Sequence, residues 1–266
     1  MTSIKLCIAG ATGRMGSTLI REAIMRGFKI VGAVAAKDDP GINKTLREAG
    51  ICDLNIEIVD PSRIPEAVDD ADVYVSFTTP KAEVVNIPRV ANLGKKIVMG
   101  TTGFTEEQMR KIRNTVVSKV PAVFSPNFAI GINILLKLLR MIKAFPVNYE
   151  VSIIEMHHSG KRDAPSGTAK KMGEIISEVR GYKNIIYGWR GLSARGPNDL
   201  EILSVRAGGI PGIHEVIIAG PHEMIRIEHT AFSRNVFAQG ALYAVEWVYK
   251  QEKPGIYSMD DVLGLS

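Results

Sequence analysis

Two cysteines, Cys7 and Cys52, in 266 residues are too few for a disulfide framework. Cys7 lies inside the first apolar run, and both read as thiols of a reducing compartment. No apolar stretch approaches the ~18 uninterrupted residues of a membrane span. The opening MTSIKLCIAG lacks the basic segment, apolar core and cleavage site of a signal peptide. Basic residues are spread along the chain without a long run, so nucleic-acid binding has no support despite a net charge of +5. Charged residues at 23% beside 45% hydrophobic ones exclude intrinsic disorder. No repeat of fixed period and no low-complexity segment appears. These absences leave a soluble, cytoplasmic chain with a sizeable core, one to two domains at ~150 residues each.

What is present is a succession of short apolar runs. Residues 4–9 (IKLCIA) end at Gly10 and precede helical periodicity over 17–26, and residues 28–35 (FKIVGAVA) read as a second buried strand. Further strands are expected at 73–77, 96–99 and 121–124, with a helix over 81–92. Val- and Ile-rich strands alternating with helices argue for βαβ units and a parallel sheet covered on both faces. After about Asn127 the character changes. One long helix is expected over 130–145, strands over 149–155, 202–207, 215–219 and 224–229, and a last helix over 236–249. Gly220-Pro221 marks the turn of an antiparallel hairpin. The fold class is therefore α/β: a Rossmann-like cofactor domain over 1–127 plus about 236–266, and an α+β substrate and oligomerisation domain over 128–235.

Gly10-Ala11-Thr12-Gly13-Arg14-Met15-Gly16 stands where a dinucleotide-binding turn belongs, between first strand and first helix. Glycine permits the tight turn, and the helix start offers N–H groups to a pyrophosphate. The spacing is G-x-x-G-x-x-G rather than the commoner G-x-G-x-x-G. At the end of the second strand, where an acidic residue would hold the ribose 2′-hydroxyl of NADH, stand Ala36 and Lys37, with Asp38 and Asp39 only afterwards. A small residue and a cation suit a 2′-phosphate, so NADPH is expected to be preferred over NADH, with Arg14 as a second cation. Gly100-Thr101-Thr102-Gly103 and Ser125-Pro126-Asn127-Phe128 follow later strands, at the carboxyl edge where such sheets bind ligands.

All five histidines lie in the second half. Glu155-Met-His157-His158-Ser-Gly-Lys161-Arg162-Asp163-Ala-Pro165-Ser166-Gly167-Thr168 brings three chemistries together. The histidines titrate near neutrality, Lys161 and Arg162 can neutralise a carboxylate, and Pro165-Ser166 opens a helix whose free N–H groups favour an anion. If the strand runs through His158, the two histidines face opposite sides. A polar surface loop leading into a capped helix is the plainer alternative. A zinc site with His214, His222 and His229 lacks the short ligand spacings, and those three read as cross-strand or surface residues of the hairpin, so no metal is expected.

The string E-M-H-H-S-G-K-R-D-A-P-S-G-T-A resembles the signature of the dihydrodipicolinate reductase family. The turn G-A-T-G-R-M-G, the loop G-T-T-G-F and the segments P-N-F-A-I-G-I-N and R-A-G-G-I-P-G-I-H-E-V extend the resemblance over almost the whole chain. It implies an NAD(P)H-dependent, cytoplasmic, homotetrameric oxidoreductase of lysine and diaminopimelate biosynthesis, acting on a small cyclic dicarboxylate. By motif position His157 is the catalytic proton donor or acceptor and Lys161 the proton donor. His158, Ser166, Gly167 and Thr168 hold substrate carboxylates. Cofactor contacts fall on Gly10 to Met15, Gly100 to Thr102 and Ser125 to Phe128. The departure is Ala36, where many members carry an acid, which leaves Lys37 as the discriminator. A semialdehyde dehydrogenase would need a thiol in an active-site loop, and a nucleotide-sensing module would need no proton donor; neither fits as well.

Overall fold

A computed structural model describes residues 3–265, in which the chain forms two compact units. One contains the residues up to Ile130 and those from Arg234 on; the other is Gly131–Ser233. In chain order the first unit gives β1 (Lys5–Ala9), α1 (Arg14–Met25), β2 (Lys29–Val34), β3 (Ile58–Val59), α2 (Ile64–Val68), β4 (Val73–Ser76), α3 (Pro80–Asn92), β5 (Lys96–Met99), α4 (Glu106–Val116) and β6 (Pro121–Phe124). Then come α5 (Ile130–Leu138), β7 (Glu150–His157), α6 (Gly167–Arg180), β8 (Asn184–Ile186), β9 (Asp199–Arg206), β10 (Ile213–Ala219) and β11 (Met224–Thr230). The chain closes with α7 (Asn235–Tyr249), β12 (Gly255–Tyr257) and α8 (Met259–Leu263). No described helix is long and apolar enough to cross a membrane.

The first unit's sheet has seven strands in the order β12-β6-β5-β4-β1-β2-β3, every pair parallel. Both faces are covered because successive side chains alternate: Leu6 and Ile8 of β1 pack with α1 and α7, while Cys7 and Ala9 pack with residues of α2, α3 and α4 on the other side. The strand order reverses at β1, whose neighbours are β2 and β4, and a switch point of this kind opens a ligand crevice at the carboxyl ends. The glycine turn follows β1 at that place.

The second unit's sheet is mixed, in the order β11-β10-β7-β9-β8. The expected hairpin is β10–β11, with Ala219 opposite Met224 across the turn. Two readings change. The helix expected over 130–145 is α-helical only to Leu138 and continues as a 3₁₀ segment over Leu139–Ala144. Arg180 draws the carbonyl oxygens of Phe145, Pro146 and Tyr149 toward its guanidinium, and Pro146 bars the α conformation at Phe145. Strand β10 begins at Ile213 rather than 215, which brings His214 inside the sheet.

Candidate active site

In the first unit Gly10 adopts φ +77°, and a Cβ there would lie 2.5 Å from the Phe77 carbonyl oxygen. A Cβ on Gly16 would lie 2.0 Å from the Gly10 carbonyl oxygen, so only glycine lets α1 sit this close to the turn. The helix starts at Arg14, earlier than the expected 17, which places Arg14, Met15 and Gly16 in its first turn. Its N-cap, Gly13, makes no side-chain capping bond, and no acidic residue stands in that turn. An uncapped helix start with outward N–H groups fits a pyrophosphate. Ala11 is buried in the core, so it offers main chain only, whereas Arg14 and Lys37 are exposed.

The acidic residues after β2 are not equivalent. Asp39 accepts from the Thr12 hydroxyl at 2.6 Å and from the Gly41 N–H at 2.8 Å, so both oxygens are tied back to the turn. Ala36, Lys37 and Asp38 stand exposed. At the next carboxyl ends, Thr101, Thr102, Ser125 and Pro126 line a cleft of about 340 Å³ with Phe104, Met109 and Arg113. Gly100 packs against the Phe77 ring. The Ser125 hydroxyl donates to the Asn127 carbonyl oxygen at 2.7 Å and holds that loop in shape. Phe128 is 1% exposed, edge-on to Phe77, and belongs to the core rather than to the loop surface.

The second unit is organised around a carboxylate. Antiparallel register puts Glu155 of β7 opposite His214 of β10, and His214 opposite His229 of β11; parallel register puts His157 beside Arg206 of β9. Glu155 and His157, two apart on one strand, share a face. Glu155 has no solvent exposure, and its two oxygens accept from Arg206 Nη2 at 2.6 Å, Arg206 Nη1 at 3.0 Å and the Ser166 N–H at 3.2 Å, while Oε2 lies 2.5 Å from His157 Nδ1. Burial would raise its pKa, but bonds from Arg206, Ser204 and His157 prevail and bring it down to about 2. Burial lowers the pKa of His157 despite the opposing pull of Glu155. An ionised Glu155 therefore holds a neutral imidazole with its proton on Nδ1 and leaves Nε2 as the acceptor.

His214 is almost fully buried, its Nε2 lying 3.0 Å from the Ser166 hydroxyl and its ring edge-on to His157 at 5.2 Å. Burial, then repulsion from His157, lowers its pKa to about 4, so it is uncharged at neutrality. The Ser166 hydroxyl also caps α6, accepting from Ala169 N–H at 3.2 Å, and its own N–H is engaged by Glu155. Of the residues expected to hold carboxylates, Ser166 is thus occupied in supporting the network. Gly167 stands exposed at the first position of α6, and His158 follows directly on the end of β7, outside the strand, so strand alternation does not set its direction. Lys161 Nζ donates to Asp163 Oδ1 at 2.8 Å, and Arg206 Nη2 fixes the same loop through the Asp163 carbonyl oxygen at 2.7 Å. Arg162 is exposed. Among the described residues, no three His, Cys, Asp or Glu side chains converge as a metal site would require.

Three residues of this network had no role assigned from the sequence: Glu155, Arg206 and His214. Glu155 and Arg206 stand inside strings that carry the family resemblance, and their pairing follows from strand register. His214 was placed among surface or cross-strand positions; it is cross-strand but buried.

Residues 4–128 match the family profile described as "Dihydrodipicolinate reductase, N-terminus" and residues 131–263 that described as "Dihydrodipicolinate reductase, C-terminus". A curated relative from Methanosarcina barkeri, named 4-hydroxy-tetrahydrodipicolinate reductase, is 42% identical over 266 residues, covering 98% of this chain and 100% of its own. One of the same name from Archaeoglobus fulgidus is 37% identical, with the same coverage. Among solved structures, a dipicolinate-bound dihydrodipicolinate reductase from Paenisporosarcina sp. TG-14 is similar at a TM-score of 0.75 and 25% identity, covering 97% of this chain and 98% of that one. An amine dehydrogenase from Mycobacterium smegmatis, at 14% identity and a TM-score of 0.64, shares the fold.

Proposed function

The chain belongs to the dihydrodipicolinate reductase family, and from that membership we propose how its residues divide the work. It catalyses the NAD(P)H-dependent reduction of 4-hydroxy-tetrahydrodipicolinate to tetrahydrodipicolinate, a step of the diaminopimelate route to lysine. When bound, the nicotinamide supplies the hydride. The α1 start at Gly13, Arg14, Met15 and Gly16 holds the pyrophosphate through main-chain N–H groups, with Gly10 and Thr12 shaping the turn. The loops at Gly100, Thr101 and Thr102 and at Ser125, Pro126 and Asn127 hold the nicotinamide ribose and carboxamide. Lys37 pairs with a 2′-phosphate, so NADPH is preferred and NADH is the poorer cofactor. Supporting this, Asp39 is tied to Thr12 and Gly41 and Ala36 leaves room. Turnover with both cofactors tests it: a much higher kcat/KM with NADH would mean that Asp38 takes the ribose.

In the second unit Lys161 Nζ delivers the proton that quenches the charge built up on the ring nitrogen side of the conjugated imine. The neutral state of His157 favours this assignment, because an imidazole held uncharged by burial receives a proton at Nε2 more readily than it gives one. His158, Gly167 and Thr168 take the substrate carboxylates, aided by the positive end of α6. A cytoplasmic homotetramer is part of the same reading. Exposed Val205, Met224 and Ile225 on the strands of the second unit's sheet, with β11 at its edge, support self-association there.

The observation that carries this reading is a titratable imidazole locked to a fully buried carboxylate, with the Lys161 loop fastened to the same guanidinium. Oxidation of NADPH in an assay coupled to dihydrodipicolinate synthase, pyruvate and aspartate semialdehyde tests it. Lys161→Ala and His157→Ala should each depress kcat while leaving cofactor affinity in place; near wild-type kcat in either variant overturns that residue's role.

A further inference from the structure

Glu83, on the first turn of α3, is an acid that neither the catalytic network nor the glycine turn uses, and its side chain has no solvent exposure. Among the described residues, its hydrogen bonds fall on one oxygen. Oε1 accepts from the Ser76 hydroxyl at 2.5 Å, from the Thr78 hydroxyl and from the Thr101 hydroxyl at 3.2 Å. Oε2 is buried and has no partner among the described residues. Thr101 Oγ1 in turn accepts the Thr78 N–H at 2.9 Å. Ser76 ends β4, Thr78 lies in the loop after it, and Thr101 lies in the loop after β5. One carboxyl group therefore fastens the carboxyl ends of two adjacent strands to each other and to the helix between them.

A first-turn acid needs no burial to complement a helix start, since it does so from the surface. Burying it with one oxygen unsatisfied is unfavourable for stability, and a buried group of this kind calls for another explanation. The loops it joins supply one: Thr101 and Thr102 line the cleft assigned above to the cofactor. A hydroxyl-bearing loop without an anchor samples several shapes, and misplacement of a binding group by about 1 Å weakens function severely.

We propose that Glu83 is a positioning residue for the cofactor: through Ser76, Thr78 and Thr101 it holds the post-β4 and post-β5 loops in the shape that receives the nicotinamide half of NAD(P)H. The inference rests on the reading that the 100–103 loop is part of the cofactor site. What it requires is an acceptor at Oε1, where the three hydroxyls converge; among the described residues no donor addresses Oε2. Glutamine, placing its amide oxygen at Oε1 and its NH₂ at the Oε2 position, should therefore substitute well, and alanine should not.

The test is the dissociation constant for NADPH by fluorescence titration, beside that for pyridine-2,6-dicarboxylate, in the full-length enzyme. Glu83→Ala should weaken NADPH binding about tenfold or more and leave the dicarboxylate within about twofold, with Glu83→Gln restoring NADPH binding to within about twofold of wild type. Wild-type NADPH affinity in a folded Glu83→Ala variant overturns the proposal, as does equal weakening in the alanine and glutamine variants. Should Glu83→Ala fail to fold, Ser76→Ala decides. That variant removes one donor outside the cofactor surface, and an unchanged dissociation constant for NADPH counts against the proposal while an increase of about threefold supports it. Thr102→Trp, filling the cleft, separates the two levels. If it leaves NADPH binding intact the loop is not the cofactor site and both readings fall; if it abolishes binding while the Glu83 variants bind normally, only the Glu83 inference falls.

Discussion

The two units, in the roles proposed for them, meet an anion by opposite means. In the first, main-chain N–H groups at the uncapped start of α1 do so beside a turn of glycines, with no acidic residue in the helix's first turn. In the second, the cations and histidines near α6 are arranged by Glu155, a carboxylate without solvent exposure that Arg206 grips through both terminal nitrogens. The contrast teaches where each site is fragile. A main-chain site depends on shape and fails when a Cβ intrudes. A charge-anchored site depends on complete pairing, so it fails when one partner is removed or protonated.

The sharpest separation is catalytic. Lys161→Ala should lower kcat by about 10²–10⁴-fold while the dissociation constant for NADPH stays put, because the proposed proton donor lies in the second unit and the proposed cofactor contacts in the first. Steady-state kinetics with direct cofactor titration reads both. Next in size is the anchor: Arg206→Ala leaves Glu155 charged and unpaired and should reduce unfolding stability by about 3–5 kcal/mol in denaturant titrations. The corresponding change in the first unit is gentler. Gly16→Ala forces a Cβ toward a carbonyl oxygen 2.0 Å away, so KM for the cofactor should rise about tenfold with KM for the dicarboxylate little changed.

Acid should distinguish the units further. His214 titrates at about 4 in the fold against 6.5 for its ordinary value, so the unfolded chain binds its proton first and stability declines as pH falls from 6.5 toward 4. Glu155 titrates at about 2 against 4.5, so its contribution is present above 4.5 and is lost as pH falls toward 2. His214→Gln should flatten the first part of the stability–pH curve and Glu155→Gln the second. The smallest effect expected is in cofactor choice: Lys37→Ala should lower kcat/KM for NADPH by about tenfold and leave NADH unchanged, as loss of one exposed phosphate partner implies.

How much of this could be read along the chain differs between the same two regions. The turn Gly10 to Gly16 is a local device, since its glycines answer to atoms a few residues away and to the end of the neighbouring strand. Helix α4 was not expected, although its capping box, Thr105 with Gln108, is a signal of the same local kind. Strands β3, β8 and β12 were not expected. They are two or three residues long, and their pairing is decided by neighbours distant in sequence. Asp39 looked equivalent to Asp38 until the fold turned its two oxygens onto Thr12 and Gly41.

The succession of the longer apolar strands and helices, the glycine turn between β1 and α1 and the presence of His157 and Lys161 in one segment follow from the sequence itself. These follow from side-chain periodicity and backbone freedom over short stretches. Only the tertiary structure decided that Arg206 grips Glu155 and that His214 meets Ser166 beside it. Strand register across the sheet selects which side chains share a face, and a shift of one residue would have turned each away. The same holds for Glu83, whose three hydroxyl partners come from the ends of two strands that only the folded sheet sets side by side.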